Sequence, residues 1–190
     1  MQVLSVKMAQ PTTRQVEVLN KLNFEEFVEK LGNIVEKSPM VAAAVWSKRP
    51  FCSLQDVHKA IGDFIDGLPI YGKEGLLRCF PDLAGKLTRE GRLSADSTGE
   101  QRSAGLFDLT TEEQTNIARL NSRYKEKFGF RFVLCARLNK KDAILAGLKT
   151  RINNSKDEEI KTGIGEAKKI CWLRLVDVVQ RERVGVIANL

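Results

Sequence analysis

Ser97, Glu100, Gln101 and Ala104 fall at i, i+3, i+4 and i+7, so a helix through them would carry all four on one face. A hydroxyl, a carboxyl, a carboxamide and a small side chain make a poor packing stripe and a good lining for a polar ligand; a solvent-exposed helix would carry them equally well. Gly99 and Gly105 weaken that helix, which points to a close approach to its backbone. A second candidate is FRFVLCAR, residues 130–137, a short strand-like stretch between helical patterns. Its backbone N–H and C=O groups need partners, either a flat ligand with amide-like edges or a neighbouring loop. The third is Phe80. It precedes Pro81, and the residue before a proline is pushed out of the helical region, so Phe80 sits at a helix end opening into a Pro-Asp loop. Its ring is a core plug, the wall of a site, or a replacement for a reacting group.

The elements that must position these residues read as helices punctuated by caps. Asn23 with Glu26 forms a capping box ahead of a stripe of Phe24, Phe27, Val28, Leu31, Ile34 and Val35. Ser38-Pro39 starts a short helix that ends before Pro50, and Ser53 with Asp56 opens another. A turn at Tyr71-Gly72 leads into the helix that stops at Phe80. Ser94 caps the polar segment, and Thr110 with Glu113 caps a longer helix closed by Gly129. Asn139 with Asp142 and Ser155 with Glu158 start the last two helices, the final one running to about Val179. With no internal repeat, the expectation is an all-α, single compact multi-helix domain over residues 20–180. A flexible tail would occupy 1–19 and a second tail 181–190.

Composition narrows the function classes. At 190 residues, 43% hydrophobic and 29% charged, the chain suits one globular domain with a sizeable core. Its longest apolar run, Met40 to Trp46, is far below the roughly 20 residues that span a bilayer, so no membrane partner is expected. The net charge of +7 permits nucleic acid or a small anionic substrate. The basic residues Lys140, Lys141, Lys149, Lys161, Lys168, Lys169 and Arg174 alternate with Asp142, Glu158, Glu159 and Glu166, the pattern of a solvated face, so nucleic acid is not expected. Cys52, Cys79, Cys135 and Cys171 form no C-x-x-C pair, and His58 is the one histidine, so no metal site is expected.

PDLAG at 81–85, the run Ser97 to Gln101, FGFRFVLCAR at 128–137, EAKKICWLRL at 166–175 and MVAAAVWSKRPF at 40–51 together resemble the 2-oxo-4-hydroxy-4-carboxy-5-ureidoimidazoline (OHCU) decarboxylases of urate breakdown. The similarity keeps its order from about Phe24 to Val179. It implies an all-helical carboxy-lyase without cofactor or metal, a homodimer, that converts its small anionic ureidoimidazoline substrate to (S)-allantoin and CO2. Glu100 and position 80 would then be the catalytic pair. Pro81, Ser97, Thr98, Gly99 and Gln101 would line the substrate ring, and the backbone of Phe132, Val133, Leu134, Cys135 and Ala136 would hydrogen-bond its edges.

This chain departs from the family pattern at two positions. The family loop reads His-Pro-Asp-Leu-Ala, its histidine being the proton donor, and here that histidine is Phe80. A phenyl ring donates no proton, which leaves three readings: a decarboxylase impaired by the substitution, an inactive relative serving as a ligand-binding or assembly module, or a decarboxylase that relies on Glu100 and water. Arg131 stands where the family has proline, and its cation meets the substrate carboxylate or, the preferred reading, points to solvent. The resemblance gives weight to Ala188-Asn189-Leu190 as a weak peroxisomal address, with the cytoplasm as the alternative.

Overall fold

The computed structural model describes residues 13–187, with side chains from Val16 to Arg181 apart from Leu87 and Arg89. The elements are α1 (Thr13–Lys21), α2 (Phe24–Leu31), α3 (Pro39–Trp46), α4 (Leu54–Gly67), α5 (Ile70–Cys79), α6 (Lys86–Arg89), α7 (Ala95–Ser103), α8 (Thr111–Phe128), a 3-10 turn at Ala136–Leu138, α9 (Lys141–Arg151) and α10 (Lys156–Ile187). No strand occurs among the described residues. The segment around FRFVLCAR is irregular up to the 3-10 turn, so its strand-like composition is spent on burying Phe130, Phe132 and Val133.

Five helix starts follow from a side chain accepting an unpaired N–H of the first turn. Asn23 and Thr110 each form a complete capping box, with Glu26 and Glu113 respectively. Ser53 accepts from Asp56 N, Ser94 from Ser97 N and Ser155 from Glu158 N. Gly129 ends α8 in the left-handed region at φ 78°, where a Cβ would be strained. Two expected starts are different. The turn before α5 is Leu68-Pro69, and Tyr71 and Gly72 lie inside the helix; Pro69 is the extended N-cap, and its carbonyl accepts from Gly72 N and Lys73 N. Asn139 does not cap α9: its amide donates to the Cys135 carbonyl at 2.9 Å, closing the 3-10 turn instead.

α10 is the spine. It packs against α2, α4 and α5, and its buried face runs through Ile160, Ile164, Ala167, Ile170, Cys171 and Leu175. Helix α1 crosses the boundary drawn at 19/20, with Val16 and Leu19 buried, so residues 13–19 belong to the packed body rather than to a tail. α10 likewise continues beyond 180 to Ile187. The tripeptide Ala188-Asn189-Leu190 lies outside the described residues. No helix among the described residues is long and apolar enough to cross a membrane.

Candidate active site

Phe80 ends α5 with φ −67° and ψ 146°, the extended conformation that Pro81 requires. Its ring is 5% exposed and is part of the hydrophobic core. It also forms one wall of a cavity of about 20 Å³ lined by Phe80, Pro81, Leu83, Ser97, Glu100, Gln101, Phe132, Val133, Leu134, Ala136 and Ile170. Three chain segments far apart in sequence therefore converge: the Pro-Asp loop, the polar face of α7 and the irregular run 132–136. Phe80 is thus at once part of the core and one wall of a cavity.

The cavity does not include every expected residue. Thr98 faces its own helix, where its hydroxyl donates to the Ser94 carbonyl at 2.9 Å. Gly99 is exposed, and a Cβ placed on it would meet nothing within 4 Å, so no group presses on the backbone there. Gly105 acts instead as a left-handed residue just after α7, at φ 78°. Cys135 is buried outside the lining, with its N–H donated to Glu166 Oε2 at 2.8 Å. Leu83 and Ile170, which sequence reasoning did not assign, complete the apolar wall.

Gln101 is a clamp on the loop. Its Oε1 accepts from Ala84 N at 2.9 Å and from Thr88 Oγ1 at 3.0 Å, and its Nε2 reaches the Asp82 carbonyl at 3.4 Å. The clamp is needed because Ala84 sits at φ 50°, a conformation costing a non-glycine residue roughly 1–2 kcal/mol. Gly85 follows because a Cβ there would stand 2.6 Å from Asp82 Cβ. Gln101→Ala leaves a buried N–H and a buried hydroxyl without partners, and is expected to destabilise the protein by about 2–4 kcal/mol in urea unfolding. A loss below about 0.5 kcal/mol would mean that the loop holds its shape without the clamp.

Glu100 meets a cation that sequence reasoning placed on the surface. Arg174, in α10, is 2% exposed and holds Glu100 through two bonds, Nε to Oε1 at 2.7 Å and Nη2 to Oε2 at 2.8 Å. Its Nη2 also reaches Glu36 Oε2 at 2.8 Å and Ser97 Oγ at 3.2 Å, and its Nη1 donates to the Asn33 carbonyl at 2.8 Å. Burial works against the arginine's charge, but the hydrogen bonds and charges of Glu100 and Glu36 outweigh it and push its pKa upward. The guanidinium is therefore a fixed charge behind Glu100. Cys171, one turn before it, is pushed up to about 12 by burial, the nearby Arg174 charge offsetting only part of the effect, so it remains an inert thiol.

Other residues of α9 and α10 fix the remaining wall. Arg151 Nη1 donates to the Val133 carbonyl at 2.8 Å and its guanidinium lies 4.5 Å from the Phe132 ring centroid. Arg151 is itself held by the fully buried Glu159, which also accepts from Tyr124 and Asn154. Arg131 does not point to solvent alone. Its Nε lies 3.8 Å from Asp82 Oδ1, it donates to the Arg78 carbonyl, and it is not part of the cavity lining. Asp82 also pairs with Lys125 at 2.7 Å, so Arg131 helps to tether the loop from outside. His58 offers no substitute for an imidazole at position 80: its Nε2 donates to the Lys168 carbonyl at 2.9 Å and its ring packs edge-on against Trp172. Among the described residues, no group of three or more His, Cys, Asp or Glu is arranged to hold a metal ion.

A family model described as OHCU decarboxylase matches residues 20–176. The chain belongs to that family. Similar proteins include the 2-oxo-4-hydroxy-4-carboxy-5-ureidoimidazoline decarboxylase of Amia calva, 52% identical over 162 residues, spanning 85% of this chain and 93% of that protein. The protein of the same name from Mus musculus is 47% identical over 161 residues, spanning 85% of this chain and 90% of that one. Among solved structures, an (S)-allantoin synthase superposes with a TM-score of 0.68 at 24% identity, over 88% of this chain and 54% of that chain. An OHCU decarboxylase determined in the presence of (S)-allantoin gives 0.63 at 22% identity, over 84% and 99%. These two likenesses establish a shared fold, in agreement with the all-α expectation.

Proposed function

We propose that this chain decarboxylates 2-oxo-4-hydroxy-4-carboxy-5-ureidoimidazoline to (S)-allantoin in urate degradation, and that the cavity between Phe80 and Glu100 is where it does so. The observation that carries the assignment of the site is the convergence of Ser97, Glu100, Gln101 and the 132–136 backbone on one small hollow, in a chain of the OHCU decarboxylase family. In the reaction the bond between the ring carbon and its carboxylate breaks and CO2 leaves. The electron pair passes into the adjacent C=N bond, and the resulting ene-type intermediate takes a proton on one face. The substrate's own imine is the electron sink, so the protein's tasks are orientation, a hydrogen-bonding frame and proton delivery. The 132–136 backbone and Ser97 frame the ring, while Glu100, anchored by Arg174, keeps a carboxylate at the reacting face.

Proton delivery is the weak point, because the family's histidine is Phe80 in this chain. The frame alone supports turnover slower than an imidazole-equipped site by about 10²–10⁴. A second reading is favoured by the volume: about 20 Å³ admits roughly one water, so a ligand must displace the wall that Phe80 forms. On that reading the chain is a relative that binds without turning over. The two are separated by generating the substrate in situ and following the circular dichroism of the product. Protonation in bulk solvent gives both enantiomers, so an excess of (S)-allantoin marks the enzyme. A racemic product at the uncatalysed rate, from a chain that still binds (S)-allantoin, supports the binding module. A homodimer belongs to the proposal on the resemblance alone; sedimentation equilibrium returning a monomer at micromolar concentration would remove it.

A further inference from the structure

Glu36 occupies a position that the decarboxylation scheme leaves unexplained. It lies between α2 and α3, its side chain is 1% exposed, and it does not line the cavity. Its Oε2 is ion-paired with Arg174 Nη2 at 2.8 Å and accepts two hydrogen bonds, from Ser97 Oγ at 2.8 Å and from Ser94 Oγ at 3.2 Å. The guanidinium is an obligate donor, so the oxygen it shares with Ser97 is an acceptor. Ser97 must therefore spend its one hydroxyl proton on Glu36. Arg174 Nη2 donates to the same hydroxyl oxygen at 3.2 Å, which takes one of its lone pairs. The one capacity left on the hydroxyl of Ser97, a residue of the cavity lining, is a lone pair.

The neighbouring carboxamide has the complementary bias. Both acceptor positions of Gln101 Oε1 are taken by Ala84 N and Thr88 Oγ1, while its Nε2 makes one long contact at 3.4 Å. Gln101 thus has an N–H to spare and no acceptor. Adjacent positions on the α7 wall read as acceptor at Ser97 and donor at Gln101. An N–H followed by a C=O, the edge of a urea or cyclic amide, matches that order, whereas a carboxylate or carbonyl oxygen against Ser97 would set lone pair against lone pair.

We propose that Glu36 is a positioning residue that fixes the polarity of the Ser97 hydroxyl, so that the site selects ligands presenting an N–H donor at Ser97. This rests on the cavity being the substrate site. Glu36 acts through Ser97 and touches no ligand. Glu36→Gln would keep the code, because the oxygen that Arg174 and Ser97 share stays an acceptor; Glu36→Ala removes that acceptor and frees the serine proton to turn toward the cavity.

The test is a double-mutant cycle on (S)-allantoin affinity, measured calorimetrically in this chain and in its Phe80→His variant. Glu36→Ala is expected to weaken binding about 10-fold, the worth of one hydrogen bond, and Ser97→Ala by a similar factor. The double variant should bind as Ser97→Ala does, because Glu36 has no route to the ligand once the hydroxyl is gone. A merely structural glutamate would lower affinity equally with or without Ser97, so independent losses multiplying to about 100-fold would overturn the proposal, as would a Glu36→Ala chain with unchanged affinity. Should Glu36→Ala fail to fold, the ligand side decides. Among allantoins methylated at one nitrogen at a time, one should lose affinity for the parent but not for Ser97→Ala; if every analogue ranks alike on both proteins, the assignment falls. Absence of (S)-allantoin binding by both this chain and Phe80→His would remove the substrate-site reading and this proposal with it, whereas binding with multiplying losses removes this proposal alone.

Discussion

Phe80→His is expected to raise (S)-allantoin formation by about 10²–10⁴, the usual worth of a positioned acid–base group. Phe80 already stands on the cavity wall with Glu100, so an imidazole there faces the ring without any backbone change. Histidine is a smaller planar ring and brings no overpacking. The same substitution removes apolar area from a residue in the core and buries a polar ring, which should cost about 1–3 kcal/mol of stability. Rate and stability thus move in opposite directions, a signature that separates a restored reacting group from a general improvement in folding. A Phe80→His chain that is folded, binds (S)-allantoin and shows no gain in turnover would contradict proton delivery from this position.

Arg174→Met is expected to cost about 3–5 kcal/mol, a large share of the 5–15 kcal/mol typical of a domain. The loss would come from what is left behind. Glu36 and Glu100 share this one buried guanidinium, and without it two carboxyl groups remain in a site where Glu36 is 1% and Glu100 12% exposed. The origin of the loss can be tested by adding Glu36→Gln and Glu100→Gln to Arg174→Met. That triple variant should recover part of the stability, because neutral amides tolerate the missing partner better. Urea unfolding that places Arg174→Met within about 0.5 kcal/mol of the parent would show that the cluster is not holding the site together. Catalysis should fail in Arg174→Met even where the protein stays folded, since Glu100 loses both of the bonds that orient it.

Local signals in the sequence carried most of the fold. Asn23 with Glu26, Ser53 with Asp56, Ser94, Thr110 with Glu113 and Ser155 with Glu158 all cap helices, because a cap is settled within four residues. Asn139 matched the same pattern and did something else, because the Cys135 carbonyl, exposed by an irregular segment, competed for its amide. The lining of the candidate site was legible where side chains share one helix face, as with Ser97, Glu100 and Gln101. Position 80 was legible through its proline. The Glu36–Arg174 cluster was not, since Glu36 is a single carboxylate beside Lys37 in a connection between helices and Arg174 lies in a helix dense with charge. One signal was available. Ile160, Ile164, Ala167 and Cys171 repeat at helical spacing and Arg174 is the next member of that stripe, so an arginine stood at a core position where it needs an acidic partner. The identity of that partner depends on α7 and the α2–α3 connection meeting α10, and no local pattern encodes it.

The most direct test of the central claim is to map (S)-allantoin onto the protein by amide chemical-shift perturbation in nuclear magnetic resonance, for this chain and for Phe80→His. The account predicts shifts concentrated at the amides of Ser97, Glu100, Gln101, Val133 and Leu134, with larger shifts and tighter binding in Phe80→His. Shifts confined to another face of the molecule, with those five amides unmoved at saturation, would contradict it.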